Sequence, residues 1–128
     1  MLFGRSFTDL IIRFLPNALP QARPSALGIA TSSANSGTAF LFYDRILALQ
    51  SPRRMLFTVL GRVLAHEITH LLLPMQGHSD YGLMRGHWST SDLDFTSTAC
   101  LGLAGRSAQL IHEEALRRMH RKEIRFGK

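Results

Sequence analysis

The densest run of apolar positions in the chain lies between Met55 and Leu73, where Met55, Leu56, Phe57, Val59, Leu60, Val63, Leu64, Ile68, Leu71, Leu72 and Leu73 leave few polar gaps. On a 3.6-residue period these positions cover most of a helical circumference, which predicts a buried central helix and not an amphipathic surface one. Ser51-Pro52 supplies a start, with a hydroxyl able to cap free backbone N–H groups and a proline suited to the first helical position. Pro74 supplies the stop, so the helix is expected to end at about Leu73.

Shorter apolar runs read as strands. Asp9 to Leu15 carries Ile11, Ile12 and Phe14 broken by Arg13, and Ala26 to Thr31 gives a second, weaker strand. Thr38 to Ile46, rich in aromatics and ending in charge, is the strongest. Pro16, Pro20 and Pro24 make the stretch between the first two strands a loop, and Ser32 to Gly37 has turn composition. Trp88 to Gly102 reads as loop and short turns with Asp92 and Asp94 in solvent. Gly105 to about Arg121 reads as a closing helix that packs Ala108, Ile111, Ala115, Leu116 and Met119 inward. The expectation is an α+β fold, with a small mixed sheet, a central helix and a C-terminal helix, in one domain over residues 1–128. The hydrophobic content of 45% suffices for a modest core. Neither long uncharged stretch suits a membrane. Arg62, His66, Glu67 and His70 interrupt the central helix, and Pro24 to Tyr43 is full of Ser, Thr, Asn and Gly.

Within the central helix lies His66-Glu67-Ile68-Thr69-His70, an H-E-x-x-H pentapeptide. Residues four apart on a helix differ by about 400° of rotation and about 6 Å of rise, so both imidazoles project from one face as a clamp for a metal ion. Glu67 lies beside that face, where a carboxylate can take a proton from an attacking water, the general-base role in metal-assisted hydrolysis. With six His in 128 residues, the pentapeptide would arise by chance in roughly one shuffled sequence in a hundred. Its setting adds weight. Ionisable groups on a buried apolar helix are costly unless paired or metal-bound, so Zn²⁺ accounts for them better than solvation does.

A catalytic zinc site commonly has three protein ligands. His78 follows the helix after Pro74-Met75-Gln76-Gly77, and Gly77 offers the backbone freedom to swing the ring back. The competing ligands are Glu113 and Glu114 on the closing helix, or His87. The ordinary reading of the two glutamates is as i,i+4 ion pairs, Glu113 with Arg117 and Glu114 with Arg118, on a solvated face.

His78-Ser79 and, shortly after, Gly82-Leu83-Met84 give the segment a resemblance to the metzincin zinc peptidases, in which a third His and a methionine-containing turn follow the H-E-x-x-H helix. Leu60 to Trp88 also resembles a group of small bacterial proteins with H-E-I-x-H-L-L-L, then H-S, then G-hydrophobic-M-R and a Trp. The resemblance implies His66, His70 and His78 as zinc ligands, Glu67 as catalytic base and Met84 as a hydrophobic floor that does not coordinate. It also implies a substrate peptide paired with the Thr38 to Arg45 strand as a sheet edge, although the ordinary reading of that strand is interior. Metzincins place Gly and His three and six residues after the second His; here those positions hold Leu73 and Gln76, and His78 comes two residues late. A helix and strand usual before the first strand of that fold have no counterpart ahead of Asp9, so the resemblance is to a minimal or truncated version. Trp88 is a candidate pocket wall, or plain core, and Tyr81 is near enough in sequence to be considered as an oxyanion partner.

The net charge of +6 suits an acidic partner, yet the basic residues are scattered apart from a concentration over Arg117 to Lys128, and no nucleic-acid motif occurs. No nucleic-acid partner is expected. Cys100 is the single cysteine, which excludes an internal disulfide and a cysteine-based structural zinc. Asp9, Arg13 and Pro16 break any signal-peptide core, so a cytoplasmic location is expected, or a secreted one if an export signal lies upstream. The sequence thus leads to a zinc-dependent hydrolase, foremost a metallopeptidase acting on a peptide or protein. The alternatives are a peptidase with a distal Glu ligand and a non-catalytic zinc-binding regulatory module.

Overall fold

A computed structural model describes residues 10–32, 37–52, 54–74, 77–79, 83–88 and 105–125. The elements run β1 (Leu10–Leu15), β2 (Gly28–Ser32), β3 (Gly37–Phe42), α1 (Tyr43–Ala48), α2 (Leu56–Leu72) and α3 (Gly105–Arg125), an α+β arrangement. The sheet order is β1-β3-β2, with β1 parallel and β2 antiparallel to β3. The expected loop over Trp88 to Gly102, with Asp92, Asp94 and Cys100, lies largely outside the described residues, as do Tyr81 and most of the Ser32 to Gly37 turn.

Strand β3 is the sheet's spine. It is flanked on both sides, so the edge role that the resemblance gave to Thr38 to Arg45 is corrected: this strand is interior, and β2 borders the site instead. The strand also ends earlier than its composition suggested. From Tyr43 the chain turns into α1, which buries Ile46 completely and leaves Leu47 in solvent. Arg45 explains part of that departure: its Nη1 donates to the carbonyls of Arg23 and Ala26, the latter at 2.7 Å, and ties α1 to the proline-rich loop ahead of β2.

Helix α2 lies across one face of the sheet. Val59, Val63 and Leu71 meet Ala39, Leu41 and Ile46 in the core, with Leu10, Ile12, Leu27, Ala30 and Leu60 packed around them. The helix begins at Leu56, later than Ser51-Pro52 predicted. Ser51 and Arg54 instead close a tight turn, each backbone N–H donating to the other's carbonyl at 3.0 Å, and the Arg54 N–H also reaches Ser51 Oγ at 3.1 Å. The serine caps as expected, but it caps a turn that separates α1 from α2. The first turn of α2 is not buried all round: Phe57 is 79% exposed. The sheet covers one side of the helix and α1 and α3 touch it elsewhere, so an all-apolar sequence does not become an all-buried cylinder.

Helix α3 docks on the C-terminal end of α2 through polar contacts. Arg118 Nη2 donates to the Leu71 carbonyl at 3.1 Å, one of the acceptors a helix end leaves unsatisfied. The inward face is therefore rotated from the expected one: Ile111 and Ala115 are half-buried as predicted, whereas Ala108, Leu116 and Met119 are exposed, and Leu110, Glu114 and Arg118 take their places. No helix among the described residues is long and apolar enough to cross a membrane.

Candidate metal centre

The period of α2 places His66, Glu67, His70 and Leu71 on the side that faces β2 and β3, so two imidazoles and a carboxyl sit where core residues would otherwise be. His66 is 8% and Glu67 5% exposed. The third imidazole comes from beyond the helix. His70 Nε2 lies 3.1 Å from His66 Nε2 and 3.0 Å from His78 Nε2, so three ring nitrogens converge on one point. Among the described residues, these three make up the group of His, Cys, Asp or Glu side chains able to share a metal ion.

The segment that carries His78 is held by a second strip of chain. Ser79 N–H donates to the Met84 carbonyl at 2.8 Å, and Ser79 and Arg85 form a parallel bridge. Gly86 lies against the His78 ring: a Cβ there would stand 2.9 Å from Nδ1. Gly77, by contrast, faces open space and does not take the left-handed backbone that only glycine favours. The glycine that matters for His78 is thus Gly86, and the expected role of Gly77 is corrected. Leu83 and Met84 are buried, as a hydrophobic floor requires.

His66 shows how the site is tuned. Its Nδ1–H donates to the Leu83 carbonyl at 2.7 Å, which fixes the tautomer and turns the Nε2 lone pair toward the other two rings. Burial lowers the His66 pKa, with the Leu83 contact opposing and the His78 charge adding to the fall. Burial, then the charges of His66 and His78, push His70 down to about 4. Near pH 7 His66 and His70 are therefore neutral rings whose Nε2 atoms face each other. Such an arrangement is repulsive without a proton or a cation between them, and neutral imidazole is the form that binds metal. This donor set fits a divalent cation such as zinc.

Glu67 is governed by desolvation alone, which raises its pKa to about 7. Its neighbour across the helix–sheet interface is Gly28, where a Cβ would come within 3.2 Å of Glu67 Cγ and 2.8 Å of the Phe40 carbonyl. Any larger residue at position 28 would compete with Glu67 for space.

These groups line one cavity of about 480 Å³, walled by β2, by the loop from Gln21 to Leu27 and by Arg85 to Trp88. Trp88 stands edge-on to His66, ring centroids 5.2 Å apart, and its buried Nε1 has no hydrogen-bond partner. Among the described residues the rim of β2 is open. Phe42 N–H donates to the Leu27 carbonyl at 2.9 Å, so Leu27 and Phe42 are a hydrogen-bonded pair. The alternation of an antiparallel ladder then directs the N–H and C=O of Gly28, Ala30 and Ser32 away from β3. Among the described residues no strand pairs with that rim.

The competing ligands fall away from the cluster. Glu114 is held by Arg118 Nε and Arg117 Nη1, both at 2.9 Å, and is largely buried, not solvated. Glu113 accepts from Gln109 Nε2 at 3.3 Å in place of the expected Arg117 pair. His87 lines the cavity but is not part of the trio. The sequence did not reveal Gly28, Gly86 or the Leu83 carbonyl. A small residue opposite a carboxyl 39 positions further along the chain leaves no local signature, although the Gly82-Leu83-Met84-Arg85-Gly86 run hinted at the last two.

No protein-family model matches the chain, and comparison with curated proteins and with solved structures also returns no match. What stands is a three-histidine centre compatible with zinc in an H-E-x-x-H setting. Its assignment to the metzincins has no support from those comparisons.

Proposed function

We propose that the protein is a zinc-dependent hydrolase, foremost a metallopeptidase, with His66, His70 and His78 as metal ligands and Glu67 as the catalytic base. The observation that carries this reading is the convergence of three Nε2 atoms beside a buried carboxyl in a cavity bordered by an open strand edge. When bound, the ion would supply Lewis acidity to polarise the scissile carbonyl and to acidify water. Glu67 would take a proton from the attacking water and return it to the leaving amine. Burial raises its pKa to about 7 in the metal-free protein, and beside a bound cation it would return toward the carboxylate form that accepts the proton. The Leu83 carbonyl would keep His66 in the ligating tautomer throughout.

An extended peptide would add to the sheet at β2, meeting the outward N–H and C=O groups of Gly28, Ala30 and Ser32. That pairing lays its backbone along the cavity wall next to Glu67, because Gly28 is the residue in contact with that side chain. Trp88, which also lines the cavity, would offer an aromatic surface to a substrate side chain.

Elemental analysis of zinc per chain, together with a peptide-cleavage assay, tests the reading. Wild type should hold one zinc and cleave, His78→Ala should lose most of the metal, and Glu67→Gln should retain metal and lose activity. Zinc without cleavage of a broad peptide library would favour a non-catalytic zinc-binding module. Full activity in Glu67→Gln would sink the mechanism.

A further inference from the structure

The cavity wall carries a charge pattern that the metal chemistry does not use. Among the described residues, its ionisable lining besides the three ligands and Glu67 consists of Arg23, Arg85 and His87. Glu67 is the single acidic side chain on it among the described residues, and that carboxyl is buried against Gly28. Arg85 has interactions of its own within the protein, so Arg23 is the cation best placed to meet a ligand.

The loop that presents Arg23 is fixed. Its carbonyl accepts from the Ala26 N–H at 3.0 Å and from Arg45 Nη1, and Ala22 N–H closes a further turn onto the Leu19 carbonyl at 3.0 Å. Arg45 also bonds the Ala26 carbonyl and lies 5.5 Å over the Phe42 ring, anchoring the loop to the core. The Arg23 side chain is exposed at the end of this braced turn, five residues ahead of Gly28. A bound divalent ion would add to the positive potential of the same cavity. An arginine on a pre-formed wall matches a carboxylate in charge and in planar geometry.

We propose that this cleft selects peptides that carry a carboxylate near the segment paired with β2, and that Arg23 is the residue that recognises it. The inference rests on the peptide-cleft reading above and deepens it by naming the substrate class. The carboxylate can come from an Asp or Glu side chain or from a free peptide C-terminus.

The test measures binding without turnover. Zinc-loaded Glu67→Gln protein is titrated with four otherwise identical hexapeptides, containing Glu or Gln and ending in a free acid or an amide. Fluorescence of Trp88, the one tryptophan of the chain, reports occupancy. At low salt, one of the two carboxylates should improve affinity by about five- to tenfold, the scale of a single charge-assisted hydrogen bond on an open wall. The Glu/Gln arm and the acid/amide arm identify which carboxylate is read. The preference should shrink with added salt and fall toward unity in Arg23→Gln, while Arg106→Gln on α3, of equal net charge, should keep it. Equal affinity for all four peptides, failure to bind any of them, or a preference that survives Arg23→Gln overturns the inference. Failure of the peptidase reading looks different: the acidic peptide binds selectively, yet zinc-loaded wild type leaves it uncleaved.

Discussion

At the scale of single residues, the centre depends on small groups placed against ionisable ones. Gly28 is the clearest case. An added methyl would sit 2.8 Å from the Phe40 carbonyl and 3.2 Å from Glu67 Cγ, and the first of these is backbone that cannot swing aside. Gly28→Ala is therefore expected to cost about 1–3 kcal/mol in denaturant unfolding and to lower hydrolysis more than it lowers zinc content. Protonation gives a second expectation, for metal-free protein. Glu67 is raised from 4.5 to about 7 on folding, so its contribution to stability is complete below pH 4.5 and is lost as pH rises through 7. His70 is lowered from 6.5 to about 4, so its contribution is complete above pH 6.5 and is lost as pH falls through 4. Stability should peak between these limits. Glu67→Gln should remove the alkaline loss, a gain of up to about 3 kcal/mol at pH 8 in chelator, and change little below pH 4.5; parallel wild-type and variant curves would contradict the assignment. The histidines and Glu67 were legible in the sequence because a helix converts i, i+1 and i+4 into fixed directions. Gly28 was not, because its role exists only once β2 crosses α2.

At the scale of elements, strands and helices were readable from apolar runs, but their junctions were not. The chain leaves β3 at Phe42 because Ile46 can be buried from a helix and Arg45 can reach two carbonyls of the preceding loop. Both reasons are tertiary. The face of α3 was misjudged on the same ground: hydrophobic spacing favoured Leu116 and Met119, whereas docking is led by Arg118 on the end of α2. Arg118→Ala should free the Leu71 carbonyl and cost about 1–2 kcal/mol by thermal or denaturant unfolding, with local hydrogen exchange rising at the last turn of α2. Glu114→Ala serves a different question. With its carboxylate oxygens on Arg117 and Arg118, its removal should leave zinc stoichiometry unchanged, and a loss of metal there would revive the distal-glutamate ligand set.

For the whole molecule, the candidate metal centre would also be a fastener. His66 and His70 belong to α2, and His78 to the segment bridged to Arg85, so an ion shared by all three joins the central helix to the strip that carries Leu83, Met84 and Trp88. Zinc at a hundred times its dissociation constant should stabilise the fold by about 2.7 kcal/mol, a melting shift on the order of 10 °C, and chelator should reverse it. His78→Ala should show little of that shift.

The open rim of β2 has a consequence for solution behaviour. Gly28 to Ser32 carries no charged side chain, and an uncovered strand edge is a template for any extended chain, including another molecule of the same protein. At high concentration the molecule should pair rim to rim and lose solubility, and a peptide seated in the cleft should protect it. Ala30→Pro separates the two partners of the ladder, since the Ala30 N–H points outward and proline there removes no bond to β3. Light scattering should find that variant monodisperse where wild type associates, at the expense of peptide binding. The edge to which the proposed substrate would add would then limit how concentrated the protein can become.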